Sequence, residues 1–432
     1  MTPFRIGCGA GFQGDRIEPA ADLANRGELD VLVFECLAER TIALAQQARM
    51  KDPEAGYDPL LERRLRATLP GCVRHGTRII TNMGAANPWA GAAKARAILA
   101  ELGLSLKVAV VTGDDVSGSI AGYSLDETGE TAQALGSRLV SANAYIGVSG
   151  IVEALAQGAD IVICGRVSDP ALFLAPLVHH FGWALNDYKK LGRGTLIGHL
   201  LECSAQITGG YFADPGVKDV PNLAHIGFPL AEVTADGNAI ITKLDDTGGM
   251  ITPATCTEQL LYEIHDPARY IQPDVVADFS GVTFTSVGPD RVAIGGATGH
   301  PPTGQLKVSV AYRDGWLGEG QISYAGVNAR QRAELARSIL DQRLTDPKID
   351  ERLGQLIGSD DDMRLRYAAR CADAATAQMI GEEVESLYLC GPAAGGGVTK
   401  SVREIVAIAS TLIPSDEVSI SAEIQGETHE VA

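Results

Sequence analysis

At 432 residues the chain is long for one compact core, and two domains are expected. Hydrophobic residues make up 45% and charged residues 21%, an ordinary globular balance, and no apolar run reaches membrane-spanning length. A net charge of −18 repels phosphate-rich partners, which sets nucleic acid and anionic membrane surfaces aside.

The N-terminal stretch MTPFRIGCGAGFQG has no signal-peptide pattern and reads as a strand and a turn. Apolar runs at 4–9, 31–35, 78–81, 108–112 and 161–164 each end in a Gly/Asn/Asp-rich turn, and Ala/Leu-rich stretches such as 92–102 and 150–157 lie between them. After the first turn, Asp15, Arg16 and Pro19 delay the helix to about Glu18. Strands alternating with helices predict an α/β fold, with a mostly parallel sheet and flanking helices over 1–212. Over 213–432 the strands shorten, and a second, α+β domain is predicted. It contains an antiparallel hairpin around Asp314 and Gly315 and a helix over 329–342. In SLYLCGPAAGGGVTKSVREIVAIAS a last strand, glycine turn and helix is expected to pack back on the first domain. The eight cysteines are scattered without a CxxC or CxxH pair, which fits reduced thiols in the cytoplasm rather than disulfides or structural zinc.

In a parallel sheet the ligand crevice lies beyond the carboxyl ends of the strands. Those ends carry Asp15, Arg16, Glu35, Glu39, Arg40, Asn82, Asn87, Asp114, Asp115, Arg166 and Asp169. Loop polarity explains any one of them; their recurrence at one end of successive strands points to a site. GAGFQG fits the dinucleotide fingerprint through Gly9, Gly11 and Gly14, with Glu35 ending the next strand as a ribose-binding acid would. The delayed helix departs from that fingerprint. The other reading is a loop whose amides and Arg16 hold a carboxylate or phosphate. GPAAGGGVTKS lacks the Lys-Ser/Thr of a phosphate loop after Gly396, so nucleotide hydrolysis is rejected. A tight turn and an anion cradle with Lys400 both remain open there.

GHLLECSAQITGG is the densest stretch. On a helix over 195–206 each residue advances about 100°, so His199, Glu202, Cys203 and Gln206 share one face. Gly209 and Gly210 are expected to stop that helix. A carboxylate beside an imidazole can do acid/base work, and His199 with Glu202 could also ligate a divalent metal. The alternative is a solvated helix face, for which Cys is a poor choice. Lys243, in TKLDDTGG, is a further pocket candidate.

The motifs GAGFQGDR, LAERT, TNMGAANP, VTGDD, GRVSDPAL, GHLLECSAQITGGYF, TGGMITPATCTEQLLYEIHDP and PAAGGG follow one another over nearly the whole chain. As a set they resemble the AtuA family of acyclic terpene utilisation proteins. The resemblance implies a cytoplasmic catabolic role on a small carboxylate or its CoA thioester. Some members carry a small extra C-terminal domain. With this chain ending at Ala432, that domain is expected to be missing or supplied by a small AtuA-like partner chain.

Two readings remain. The first is a lyase or hydratase, breaking a carbon–oxygen or carbon–carbon bond in a branched or hydroxylated acid or its CoA ester. Glu202, His199, Cys203 and Asp169 would be catalytic; Gly11, Gly14, Asp15, Arg16, Glu35, Arg40, Asn82, Asn87, Asp114, Arg166, Gln206, Lys243, Gly396 and Lys400 would bind substrate. A divalent metal ion or no cofactor at all are both compatible with it, CoA entering only as part of the substrate. The second is a non-catalytic metabolite-binding subunit that assembles with a small partner. An NAD(P)-dependent oxidoreductase is the third and lesser option. Self-association into a homo-oligomer is expected in each case.

Overall fold

The computed structural model describes residues 3–424. The first half alternates as β1 (Phe4–Ala10), α1 (Glu18–Arg26), β2 (Val31–Phe34), α2 (Glu39–Lys51), α3 (Leu61–His75), β3 (Arg78–Thr81), α4 (Pro88–Glu101) and β4 (Val108–Thr112). It continues through β5 (Leu139–Ala144), α5 (Ser149–Ala156), β6 (Ile161–Cys164), α6 (Ala171–Phe181) and α7 (Tyr188–Leu201). Next come β7 (Pro229–Val233), β8 (Ala239–Lys243), α8 (Pro253–Leu261), β9 (Tyr270–Ile271), β10 (Val276–Asp278), β11 (Thr283–Gly288), β12 (Arg291–Gly295) and β13 (Thr298–His300). The chain ends through β14 (Gln305–Ala325), α9 (Ala329–Arg343), β15 (Ile349–Ser359), β16 (Asp362–Cys371), α10 (Ala374–Cys390), β17 (Gly395–Pro414) and β18 (Ser421–Ile424).

The fold is mixed α/β. Its main sheet runs β11-β12-β8-β7-β1-β2-β3-β6-β4-β18. The middle five strands, β1 to β4 in that order, are parallel, whereas both wings are antiparallel. Four of the nine neighbour pairings are parallel, so the expectation of a mostly parallel sheet is corrected. VLVF, IVIC and VAVV are buried along their whole length because helices cover both faces, the usual state of a parallel strand. On one face Val108, Val110, Ile161 and Ile163 join Leu65, Leu69, Ala95 and Ile98 of α3 and α4. On the other, Gly150 of α5 lies so close to Val111 that a Cβ there would sit 2.6 Å from its Cγ1.

Two compact units emerge, and their limits differ from the 212/213 division. One comprises residues 1–136, 140–310 and 409–432; the other comprises 137–139 and 311–408. Strands β7, β8, β11 and β12, read from sequence as part of another domain, extend the first sheet. In the second unit, α9 and α10 cover the face of β14 and β16 that carries Ile322, Tyr324, Leu365 and Tyr367.

Two local expectations are also corrected there. Asp314 and Gly315 do not turn a hairpin: β14 runs straight through them, and Gly315 absorbs φ +87 inside the strand. SLYLC ends a helix and the Val/Ile-rich stretch after the glycines is a strand, the reverse of the expected order. β-branched residues repeated over VTKSVREIVAI favour extended backbone, whereas EEVESLYLC continues an already capped helix.

Candidate active site

A hollow of about 800 Å³ opens in the first unit beyond the carboxyl ends of β1, β2 and β6. Gly11 follows β1, Glu35 follows β2, and Arg166 and Asp169 follow β6. Glu202 and Cys203 line it from the end of α7. The segment after α8 closes another wall with Tyr262, Glu263, Arg269, Tyr270 and Gln272.

The dyad of α7 is the best-defined part. His199 is 1% exposed and Glu202 is 9% exposed. His199 Nδ1 lies 2.9 Å from Glu202 Oε1. Its Nε2 donates to the Leu260 carbonyl at 3.2 Å. A carbonyl only accepts, so Nε2 carries a hydrogen, and Nδ1 faces Oε1 across a second hydrogen bond. Burial disfavours the charged ring, yet the Glu202 carboxylate and the Leu260 carbonyl raise the pKa of His199. Tyr270 packs its ring 5.2 Å from the imidazole and fixes its plane. Glu202 Oε2 is sealed from water and has no hydrogen-bond partner among the described residues. A buried carboxylate oxygen left bare is costly unless something else uses it.

The α7 helix stops at Leu201, earlier than expected, and Ser204 adopts φ +48. His199 and Glu202 keep their i, i+3 relation, whereas Cys203 and Gln206 leave the predicted face. Gln206 does not line the hollow, and Gly209 and Gly210 play no part in ending the helix. Cys203 does line it, but burial and the nearby Glu202 charge push its thiol up, so it remains protonated.

Arg166, 1% exposed, is the buried cation of the site. Its guanidinium donates to the Leu37 and Val167 carbonyls and to Asp169, and its plane stacks 4.5 Å from the Tyr145 ring. Burial pushes Asp169 up to about 7, the Glu202 charge adds to this, and Arg166 opposes it. Its side chain keeps 35% of its surface open, so water in the hollow moderates that push. Glu35 is also raised, first by burial and then by the Asp169 charge. Its Oε1 accepts from Leu37 N and from Asn82 Nδ2, both at 2.9 Å. On the opposite wall burial works against ionisation of Glu39, but Tyr145 and Lys307 donate to it and hold it down at about 2.

The remaining predicted site residues lie elsewhere. Asp15 turns back on its own loop and accepts from Gly11 N at 2.9 Å. That amide is taken up within the loop, and Glu35 Oε1 accepts from Leu37 N and Asn82 Nδ2. Gly14 does not line the hollow; a Cβ on it would meet the Phe12 ring. Arg16 donates to the Ala224 carbonyl, Arg40 is exposed outside the hollow, and Asn87 caps α4. Asn82 and Asp114 form a buried layer behind it, Asp114 accepting from Arg166 N and Asn143. Lys243 pairs with Asp290 at 3.1 Å. Gly396 and Lys400 belong to β17, where Lys400 pairs with Glu385. Tyr145, Arg269, Tyr270, Gln272 and Lys307 were not picked out from sequence. No group of three or more His, Cys, Asp or Glu poised for a metal ion occurs among the described residues.

Two outcomes follow from this geometry. Asp114 and Asp274 are raised by burial to about 6, in the same sense as Asp169. Each therefore binds its proton more tightly in the folded chain, so folded stability falls as pH rises from 3.8 towards those values. His199, also raised, contributes stability that is lost as pH rises through its folded value, so it acts in the same direction. Chemical denaturation at stepped pH should show this decline, flattened in Asp114→Asn. Gly11 packs on Cys203: a Cβ there would lie 2.8 Å from its Cα and oxygen, and nearer still to its carbonyl carbon. Gly11→Ala should cost about 1–3 kcal/mol in denaturant unfolding and displace the backbone beside Glu202.

An α/β protein with a largely apolar hollow at its strand ends, bordered by a buried imidazole–carboxylate pair, has the makings of a small-molecule site. The family described as acyclic terpene utilisation family protein AtuA matches residues 4–424, nearly the whole chain. The chain belongs to that family. Comparison with curated proteins returns no relative. No helix among the described residues is long and apolar enough to cross a membrane.

Proposed function

We propose that the chain is a catabolic lyase or hydratase for a branched or hydroxylated carboxylic acid or its CoA thioester. The observation that carries this reading is the Glu202 carboxylate in the wall of the hollow, with one oxygen tied to an anchored histidine and the other buried without a hydrogen-bond partner among the described residues. Family membership, which suggests a role in terpene utilisation, supports a catabolic setting.

The chemistry needs a base and an acid. Glu202 takes a proton from the carbon next to the substrate carbonyl, and His199 steadies the carboxylate as its charge changes. Asp169, its pKa raised by burial to about 7, delivers a proton to the departing hydroxyl, so that water leaves. The reverse sequence is hydration. The Tyr270 hydroxyl has no partner among the described residues, and burial together with the Glu202 charge keeps it protonated. It can donate to the oxygen that gains charge as the proton leaves.

The test is proton exchange. Purified chain is incubated in D₂O with branched and hydroxylated acids and with their CoA thioesters, and deuterium uptake and dehydration are followed by NMR. The reading expects exchange or water loss with at least one of them. Tight binding with neither would point to a metabolite-binding subunit instead.

A further inference from the structure

Six carboxyl groups line the hollow: Glu35 and Glu202 are buried, Glu39 and Asp169 are half-buried, and Asp126 and Glu263 are exposed. Three cations line it, and two are spent. Arg166 is committed to carbonyls and to Asp169. Lys307 pairs with Glu39 at 3.0 Å and sits over the Tyr145 ring. Arg269 is different: it is exposed at the rim, and its guanidinium has no partner among the described residues.

We infer that Arg269 is the specificity-determining residue of this hollow, taking the ligand's oxyanion at the mouth while the carbon to be deprotonated reaches Glu202. The inference rests on the acid/base reading only for what happens at that carbon. An anion pushed inside would lose water and face Glu35, Asp169 and Glu202, with Arg166 and Lys307 already committed. An anion kept at the rim meets a planar fork of donors suited to carboxylate or phosphate. Apolar side chains of Leu37, Pro170, Ile271 and Leu306 line the hollow and suit an uncharged hydrocarbon stretch. Arg269 also precedes Tyr270, whose ring packs on His199, so an anion held there is in register with the dyad.

The oxyanion can be the carboxylate of a free acid or a phosphate of a CoA thioester, and titration separates the two. Isothermal titration on the full chain uses 3-hydroxy-3-methylbutanoate, its uncharged amide and its CoA thioester. The wild-type chain should bind at least one anionic probe ten times or more tighter than the amide, and whichever anion prevails names the source. Arg269→Gln should erase the preference, and Arg269→Lys should keep part of it. The residue is exposed, and circular dichroism checks that both variants fold. A wild-type chain that binds none of the three, or binds all alike, overturns the inference, as does an Arg269→Gln chain that keeps the preference. Glu202→Gln should leave the preference in place. If that variant also keeps full turnover, the base assignment falls and the anion clamp stands.

Discussion

Glu202→Gln should lower turnover by about a thousandfold while leaving the unfolding transition close to that of the wild-type chain. The size follows from general acid–base catalysis, which contributes roughly 10²–10⁴ in rate. The fold survives because the replacement amide is isosteric. Nε2 of His199 keeps its hydrogen for Leu260, Nδ1 becomes an acceptor, and the amide N–H of the new side chain donates to it. What is lost is the carboxylate that takes the proton. Steady-state kinetics on the substrate found by exchange, together with a denaturant titration, check both halves. A chain that unfolds early would show that the pair is chiefly structural.

The second large effect concerns stability. Arg166→Met keeps most of the side-chain volume but removes the donors that satisfy the Leu37 and Val167 carbonyls. It also takes away the cation facing Asp169 and Glu35, two carboxyl groups already raised by burial. Breaking a buried charge pair from one side costs about 3–5 kcal/mol. Part of that loss is recovered when the carboxyl groups stay protonated, so the deficit should be larger at pH 8 than at pH 5. Denaturant midpoints at the two pH values measure it. Equal midpoints for variant and wild type would mean that Arg166 does not hold this region together.

These effects also mark what was legible in the sequence. RIIT, VAVVT and IVIC announce themselves because β-branched apolar runs followed by glycine turns are local signals. The antiparallel wings are not local: nothing within PLAEV or AIITK says that β7 will pair with β1 more than two hundred residues away. Gly315 misled because a glycine with positive φ can turn a hairpin or sit inside a strand, and pairing with β16 decides which. In the site, His199 and Glu202 were legible because i, i+3 spacing is a property of the helix itself. Gln206 was not, because the backbone leaves the helix and Ser204 turns left-handed, although Cys203 still reaches the hollow. Arg269 precedes the short strand that begins at Tyr270, and only the tertiary fold brings both to the strand ends.

The most direct measurement is a crystal structure of the chain soaked with the acid or thioester that exchanges fastest. The account predicts ligand density in the hollow, with the carbon to be deprotonated against the Glu202 carboxylate and its anionic end beside Arg269. Density bound elsewhere on the chain, with the dyad untouched and the hollow filled only by water, would contradict it.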